Sequence, residues 1–254
     1  MQNQFTLPSR SKQRLIGLGL AAMIAGSWLT LHFYAMFVFE LSAANWLQAT
    51  VLAVLLCWLS VGVFIVSHDA MHGSLAPGLS RLSATIGAAL LFLYAGFGWK
   101  KMRSAHFEHH KLSGHDGDPD FDAANPRNVW RWYVTFFMRY FGWKSFAFVS
   151  LVVALYKFAF DVPMAQLVLL YGVPAIASSL QLFYYGTYRP HHHAGTGEAF
   201  CDRHNARSDR FGGLISLVTC FHFGYHLEHH RRPDVPWWAL PAARRFGLGE
   251  KVAV

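Results

Sequence analysis

Eight of the fifteen histidines fall into three tight clusters: His68 with His72, then His106, His109 and His110, then His226, His229 and His230. The second and third clusters share one form, HxxHH, and in each a glutamate, Glu108 or Glu228, directly precedes the paired histidines. On a helix, positions i, i+3 and i+4 share a face, so each cluster aims two or three imidazoles at one point. Imidazole is the commonest metal ligand and suits iron, zinc and copper. A zinc ion is satisfied by about three or four protein ligands, so one zinc would leave about half of these histidines idle. Two metal ions of higher coordination number use them all. The spacing of the first cluster matches the HExxH of zinc proteases, but Asp69 stands where that chemistry needs a glutamate base.

The elements that must hold these clusters are apolar. The chain is 54% hydrophobic and 16% aromatic, with only 14% charged residues. Residues 15–39, 45–66, 146–160 and 164–185 form long apolar runs, and a helix of about 20 such residues crosses a bilayer. The first run is too long for a signal-peptide core and has no cleavage pattern after it, so it reads as a retained span. Residues 82–98 could count as a fifth span. However, the first histidine cluster precedes them and the second follows them. A single crossing would put the two clusters on opposite sides, so 82–98 reads as an interfacial or re-entrant segment.

Four spans with a cytoplasmic N-terminus satisfy the positive-inside rule. The two outer loops, 40–44 and 161–163, then carry no Lys or Arg, whereas basic residues crowd the segments holding the histidines. The net charge of +8 is therefore sided. It suits anionic lipid headgroups or an acidic redox partner. No nucleic-acid-binding motif accompanies it. Cys57, Cys201 and Cys220 are scattered and fit neither a disulfide framework nor a thiolate metal site. The only repeat is the HxxHH pair, and residues 1–254 read as one domain.

Carboxylates beside the clusters have a reason to be there, because metal-bound imidazoles commonly donate their second N–H to a carboxylate. Asp69, Glu108 and Glu228 are candidates for that part, each against the alternative of a solvated surface acid. Asp118 and Asp120 lie just after the second cluster, in an acidic run that reads equally well as a solvated loop. His222 reads as a core residue, His32 as a packing or interfacial one, and His115 and His204 as loop residues.

Several longer segments carry a resemblance. His68-Asp-Ala-Met-His-Gly-Ser-Leu-Ala-Pro77, Asp118-Pro-Asp-Phe121, Ala206-Arg-Ser208, Leu217-Val-Thr-Cys-Phe-His-Phe-Gly224 and Pro236-Trp-Trp-x-Leu-Pro241 resemble the bacterial β-carotene ketolases of the membrane di-iron desaturase and hydroxylase superfamily. The resemblance implies an all-α integral membrane fold of four transmembrane helices, an interfacial or re-entrant helix and a cytosolic histidine-rich cap in the bacterial inner membrane. It implies two Fe2+ ions held by the clustered histidines, O2 as co-substrate and an external electron donor. The implied reaction places a ketone at C4 of a β-ionone ring, taking β-carotene through echinenone to canthaxanthin and 3-hydroxylated rings as far as astaxanthin.

The chemistry agrees, because a ring CH2 has no proton that acid–base catalysis can remove at neutral pH, whereas iron-activated oxygen oxidises it. With no flavin, haem or iron–sulfur motif in the chain, the electrons are expected from a separate ferredoxin-like protein. The superfamily pattern also implies a ninth ligand after the last span. In Thr187-Tyr-Arg-Pro-His191-His-His193 the ligand position falls on His191, with His193 as the alternative and His192 pointing away. The substrate needs an apolar tunnel, for which Phe97, Trp99, Phe107, Phe121, Phe221, Phe223 and Tyr225 are candidates. The rival readings are another superfamily oxygenase (a carotenoid 3-hydroxylase or fatty-acyl desaturase) and a histidine-rich membrane metal carrier.

Overall fold

The structure is a computed structural model that describes residues 5–192 and 200–247. Among the described residues it contains helices and no strand. Three helices are long and apolar enough to cross a membrane: α1 (Arg10–Phe37), α2 (Trp46–His72, with a 3-10 lead-in from Ala43) and a long helix, Met164–His191. Their outward faces carry large apolar side chains such as Leu15, Phe33, Val51, Val54, Val168 and Ile176. A surface of that kind is stable against lipid and not against water.

Between α2 and the long helix lie two bent pairs. α3 (Ser80–Ala95) and α4 (Trp99–Leu112) meet at 101°, and α5 (Val129–Tyr140) and α6 (Trp143–Ala159) at 82°. The first bend is set by Gly96, which ends α3 at φ 68°. Any side chain there would also meet Phe148, whose Cβ lies 2.7 Å from where a Cβ would sit. Only glycine tolerates both conditions. The expected run 82–98 is thus α3 plus its turn, and its two flanking histidine clusters come together. The expected span 146–160 differs from the observed element. Its helix, α6, starts at Trp143 and passes the length and apolarity test only together with α5, across the bend.

Met164–His191 is α7, which contains two π-helical turns, Val168–Gly172 and Tyr184–Tyr188. Short helices α8 (Gly213–Cys220), α9 (His226–Arg231) and α10 (Leu240–Arg245) follow among the described residues.

Buried polar contacts fix helix directions. Gln166 Nε2 donates to the carbonyls of Ala35 (2.6 Å) and Phe39 (2.8 Å), satisfying buried carbonyls at and just past the C-terminus of α1. At the other end, Gln13 Nε2 donates to the Ser74 carbonyl at 2.9 Å and Arg14 to that of Pro77 at 3.0 Å. The start of α1 therefore lies beside the end of α2, and the start of α7 beside the end of α1. The C-termini of α2 and α7, with their histidines, finish at the same end of the molecule. The core between the helices is apolar, centred on Val61, Val63, Ile65, Leu90 and Phe221.

Candidate metal centre

Four separate elements deliver imidazoles to one place. His68 and His72 sit on the last turns of α2, His106, His109 and His110 on α4, His191 at the end of α7, and His226, His229 and His230 on α9. They sort into two sets. One holds His68, His72, His106, His110 and His229, and the other His109, His191, His226 and His230; within each set the ligand nitrogens lie within 4.8 Å of one another.

The repeated motif is used in opposite senses. On α4 the i, i+4 pair, His106 and His110, joins the first set and His109 the second. On α9 the i, i+4 pair, His226 and His230, joins the second set and His229 the first. Each helix thereby contributes to both sets, as the 3.6-residue period requires of side chains that diverge by one step.

The spacing within the sets suits metal ligation. Nε2 of His110 lies 3.1 Å from that of His106 and 3.0 Å from that of His229. Nε2 of His226 lies 3.0 Å from those of His191 and His230. Two nitrogens bound at right angles to one ion at about 2.1 Å would sit about 3 Å apart. One N–H···N bond could explain one such pair, but not several nitrogens crowding one point. Among the described residues, buried His68 has no hydrogen-bond partner on either ring nitrogen, a costly state unless something else binds the ring.

Three outer nitrogens of the second set are tied down, and that of His226 has no partner among the described residues. His109 Nδ1 donates to the Asp118 carboxylate at 2.9 Å, and His191 Nδ1 to the Asn205 carbonyl at 2.8 Å. His230 Nδ1 lies 3.2 Å from the Ser113 hydroxyl. Such bonds fix each ring's tautomer and leave Nε2 facing inward. Asp118 is itself held by the backbone N–H groups of Gly114 and Asp120, both at 2.8 Å. Burial works against its charge, but the bond from His109 and these N–H groups keep its pKa below the ordinary carboxylate value. Burial, and then the neighbouring imidazoles, push His229 and His230 well below the ordinary histidine value. They are neutral at pH 7, which is the form that binds metal.

Three of the expected carboxylates play other parts. Glu108 lies on the exposed face of α4, reaches no imidazole and pairs with Lys111 at 2.6 Å. An i, i+3 neighbour on an exposed face wins over an imidazole that points the other way. Glu228 is fully buried yet also misses the imidazoles; it accepts from the Ser208 hydroxyl and, at 2.7 Å, from Arg244. Asp69 lies 3.7 Å from His68 Nδ1, beyond hydrogen-bond range, and instead accepts from the backbone N–H of Trp237 at 3.1 Å.

Other histidines stay outside both sets. His192 Nδ1 donates to the Arg189 carbonyl, and its ring stacks on Tyr188. His32 pairs with the Tyr156 hydroxyl, His115 with the Asn205 amide, and His222 is buried between Tyr225 and Trp237. His204 lies 5.8 Å from the His230 ring, centre to centre. His193 lies outside the described residues. Ser113, Asn205 and Arg244 had no role in the sequence reading. Ser208 sits in a segment that carried the family resemblance, and that segment was its only signal.

An apolar cavity ends on these imidazoles. His68, His106, His109 and His226 line one end, and Tyr94, Phe97, Phe136, Phe137 and Phe141 form much of the wall. Of the aromatic residues expected there, Phe97 and Phe223 line it. The others pack elsewhere: Phe221 stacks on Trp58, Phe121 meets Trp132, Phe107 lies under Arg103, and Trp99 and Tyr225 join core clusters. Phe221 and His222 both adopt left-handed backbone, at φ 47° and 63°. That conformation is unfavourable for side chains of this size. The turn it makes brings Phe223 against His68, His226 and His229, with ring centres 4.6, 5.1 and 5.2 Å away.

A profile of the fatty acid desaturase family matches residues 42–149 and 141–251. The chain belongs to the fatty acid desaturase family. Within it, the chain is 44% identical over 241 residues to the beta-carotene ketolase of Paracoccus sp. strain PC1, covering 94% of this chain and 97% of that one. It is 45% identical to the beta-carotene ketolase of Paracoccus sp. strain N81106 / MBIC 01143, covering 88% and 90%. It is also 35% identical to the zeaxanthin 4-ketolase of Chlamydomonas reinhardtii, covering 97% of this chain and 56% of that one. A family of membrane oxygenases accounts for both apolar spans and buried imidazoles, and this member is an oxygenase.

Proposed function

We propose that this protein is a carotenoid ketolase that oxidises the C4 methylene of β-ionone rings to a ketone. The observation that carries this reading is an apolar cavity ending on two sets of convergent imidazoles, in a chain closely similar to beta-carotene ketolases along nearly its whole length. Nine histidines, His68, His72, His106, His109, His110, His191, His226, His229 and His230, hold two iron ions in this proposal. The donor set supports iron over calcium or magnesium, which take oxygen ligands. When bound, the irons supply the O2 activation that C–H oxidation needs.

The protein's residues do the rest. Asp118, Asn205 and Ser113 hold His109, His191 and His230 with Nε2 turned inward. The apolar walls orient the ring with its CH2 toward the imidazoles and exclude water. Each turnover takes O2, two electrons and two protons, giving an alcohol and one water. A second turnover at the same carbon gives a geminal diol, which loses water to become the ketone. The electrons come from a ferredoxin-like donor that docks on the basic face around the histidines.

The reading extends to topology. α1, α2, α6 and α7 are the four spans of one domain over residues 1–254, α3 with α4 is re-entrant, and the N-terminus and metal site face the cytoplasm of the inner membrane. Loops without Lys or Arg at the opposite end support this orientation.

Expression in cells that accumulate β-carotene, followed by pigment chromatography, tests the activity. Mono- and diketones are expected, with about two irons per purified chain. Pigment that stays β-carotene, or acquires only 3-hydroxyl groups, rejects the reading.

A further inference from the structure

The cavity beneath the imidazoles is one of two chambers. A second lies deeper between the helices and shares Tyr94, Phe97, Phe137, Phe141 and Ser179 with the first. The upper chamber is lined on α7 by Gly186 and Thr187, the lower by Met164, Leu167 and Val168. From 164 to 187 along one helix is about 34 Å at 1.5 Å per residue. An extended C40 polyene with a ring at each end is roughly 30 Å long, the length of a twenty-residue helix.

The waist between the chambers is suited to a hydrocarbon. Its hydroxyl groups satisfy one another: Tyr94 pairs with Ser178 at 2.8 Å, and Tyr133 with Ser179 at 2.7 Å. They therefore present no unmet demand to an apolar chain passing between them. Below, a further recess shares Val149, Val153 and Met164 with the lower chamber and is flanked by the exposed Phe146 and Phe158. The lower chamber thus opens sideways, between α6 and α7, toward lipid.

Given the ketolase reading above, on which this rests, we infer that the two chambers form a single channel holding the whole carotenoid parallel to α7. One ring lies against the imidazoles and the other near the α6–α7 mouth. A phospholipid acyl chain spans only about half of a ~30 Å hydrocarbon layer and would leave one chamber empty. Because the upper end is closed by the histidines, the substrate presents one ring at a time. To oxidise the second ring it must withdraw through the mouth and return reversed, so the mono-ketone leaves the protein between the two ends.

Gly172 offers the test. It lines the lower chamber, and a Cβ added there meets nothing closer than the Leu167 carbonyl at 3.8 Å. Gly172→Leu therefore adds bulk at the lower chamber, far from the histidines, with no clash at its Cβ. Val173→Phe, exposed on the same turn and lining neither chamber, is the control. The measurements are β-carotene retained per purified chain, ketone formed and iron per chain. Gly172→Leu is expected to lower pigment and ketone at least tenfold with iron unchanged, and Val173→Phe to change none of the three. Wild-type pigment retention in Gly172→Leu overturns the channel, as does a purified protein that holds phospholipid which β-carotene does not displace.

If Gly172→Leu loses iron as well, Ala175→Cys in the same chamber replaces it. Bound β-carotene is expected to protect that cysteine from an apolar maleimide, and equal labelling with and without pigment overturns the proposal. A wild-type protein that forms no ketone at all rejects the function instead, whatever the pigment retention. In a further arm, labelled β-carotene is supplied with excess unlabelled mono-ketone. Label should accumulate first in the mono-ketone pool; label passing directly to diketone overturns the reversal step.

Discussion

The two HxxHH segments have the same local sequence logic and opposite surroundings. α4 is a 14-residue helix whose glutamate, Glu108, faces outward and pairs with Lys111. α9 has six residues, and its glutamate, Glu228, is completely buried against Ser208 and Arg244. A helix of six residues cannot hold itself, since even 12–15 residues are marginal alone in water. Glu228 replaces the missing length by tying α9 to α10 and to the segment before α8. The same residue in the same motif position thus faces solvent in one copy and is a buried tie in the other.

Six substitutions break or sharpen this contrast. The largest effect is expected from removing an i, i+4 ligand in either copy. His106→Ala and His226→Ala should each lower ketone formation by more than about 100-fold, beyond what losing a group behind a ligand costs, and should lower iron per chain. Retained iron in both variants would reject the ligand assignment.

Next comes the glutamate pair itself. Glu228→Ala removes the buried acceptor of the partly exposed Arg244 and of the Ser208 hydroxyl, a loss of at most about 3–5 kcal/mol, the cost of breaking a fully buried ion pair. It should deplete iron and lower the melting temperature of the purified protein. Glu108→Ala should stay within about twofold of wild type, as an exposed pair contributes about 0–1 kcal/mol. Equal losses in the two variants would remove the contrast.

Asp118→Asn keeps the shape but loses the charge behind His109. A drop of about 10–100-fold in activity or iron affinity is expected, read by iron competition with a chelator. The smallest effect is expected from Ser113→Ala, which removes the 3.2 Å contact to His230 Nδ1 and the hydroxyl's 2.8 Å bond to the His109 carbonyl. A neutral hydrogen bond contributes about 1 kcal/mol, so a several-fold weakening of iron binding is anticipated, without loss of fold.

Much of the site was legible because ligand spacing is a local property. The i, i+3 and i+4 periodicity aims imidazoles before any tertiary contact is known, and eight of the nine gathered histidines stand in such clusters. His191 came only from resemblance, since a single histidine after an apolar run has no periodic signal. The carboxylates were poorly legible for the same reason. Glu108 and Glu228 look identical over five residues, and what separates them, Arg244 and Ser208, lies elsewhere in the chain. Apolar runs gave α1, α2 and α7 nearly to their ends. They did not give α5 or the bend before α6, because Arg131 and Arg139 interrupt the apolar residues of α5 and no run registers there. That Asp69 would hold Trp237, and not an imidazole, depends on a contact from the far end of the chain.

The gathering of imidazoles from α2, α4, α7 and α9 has a mechanical meaning. Cys57, Cys201 and Cys220 are free thiols, so no disulfide closes any loop. Each proposed iron would act as a cross-link instead, one joining α2, α4 and α9, the other α4, α7 and α9. Closing long loops restricts the unfolded chain most, and binding energy of this kind is folding energy. The three long helices keep their lipid-facing surfaces and buried glutamine ties without it. The knot at their end is drawn tight by metal, so an iron-starved cell should hold a chain that is threaded through its membrane but untied at one side.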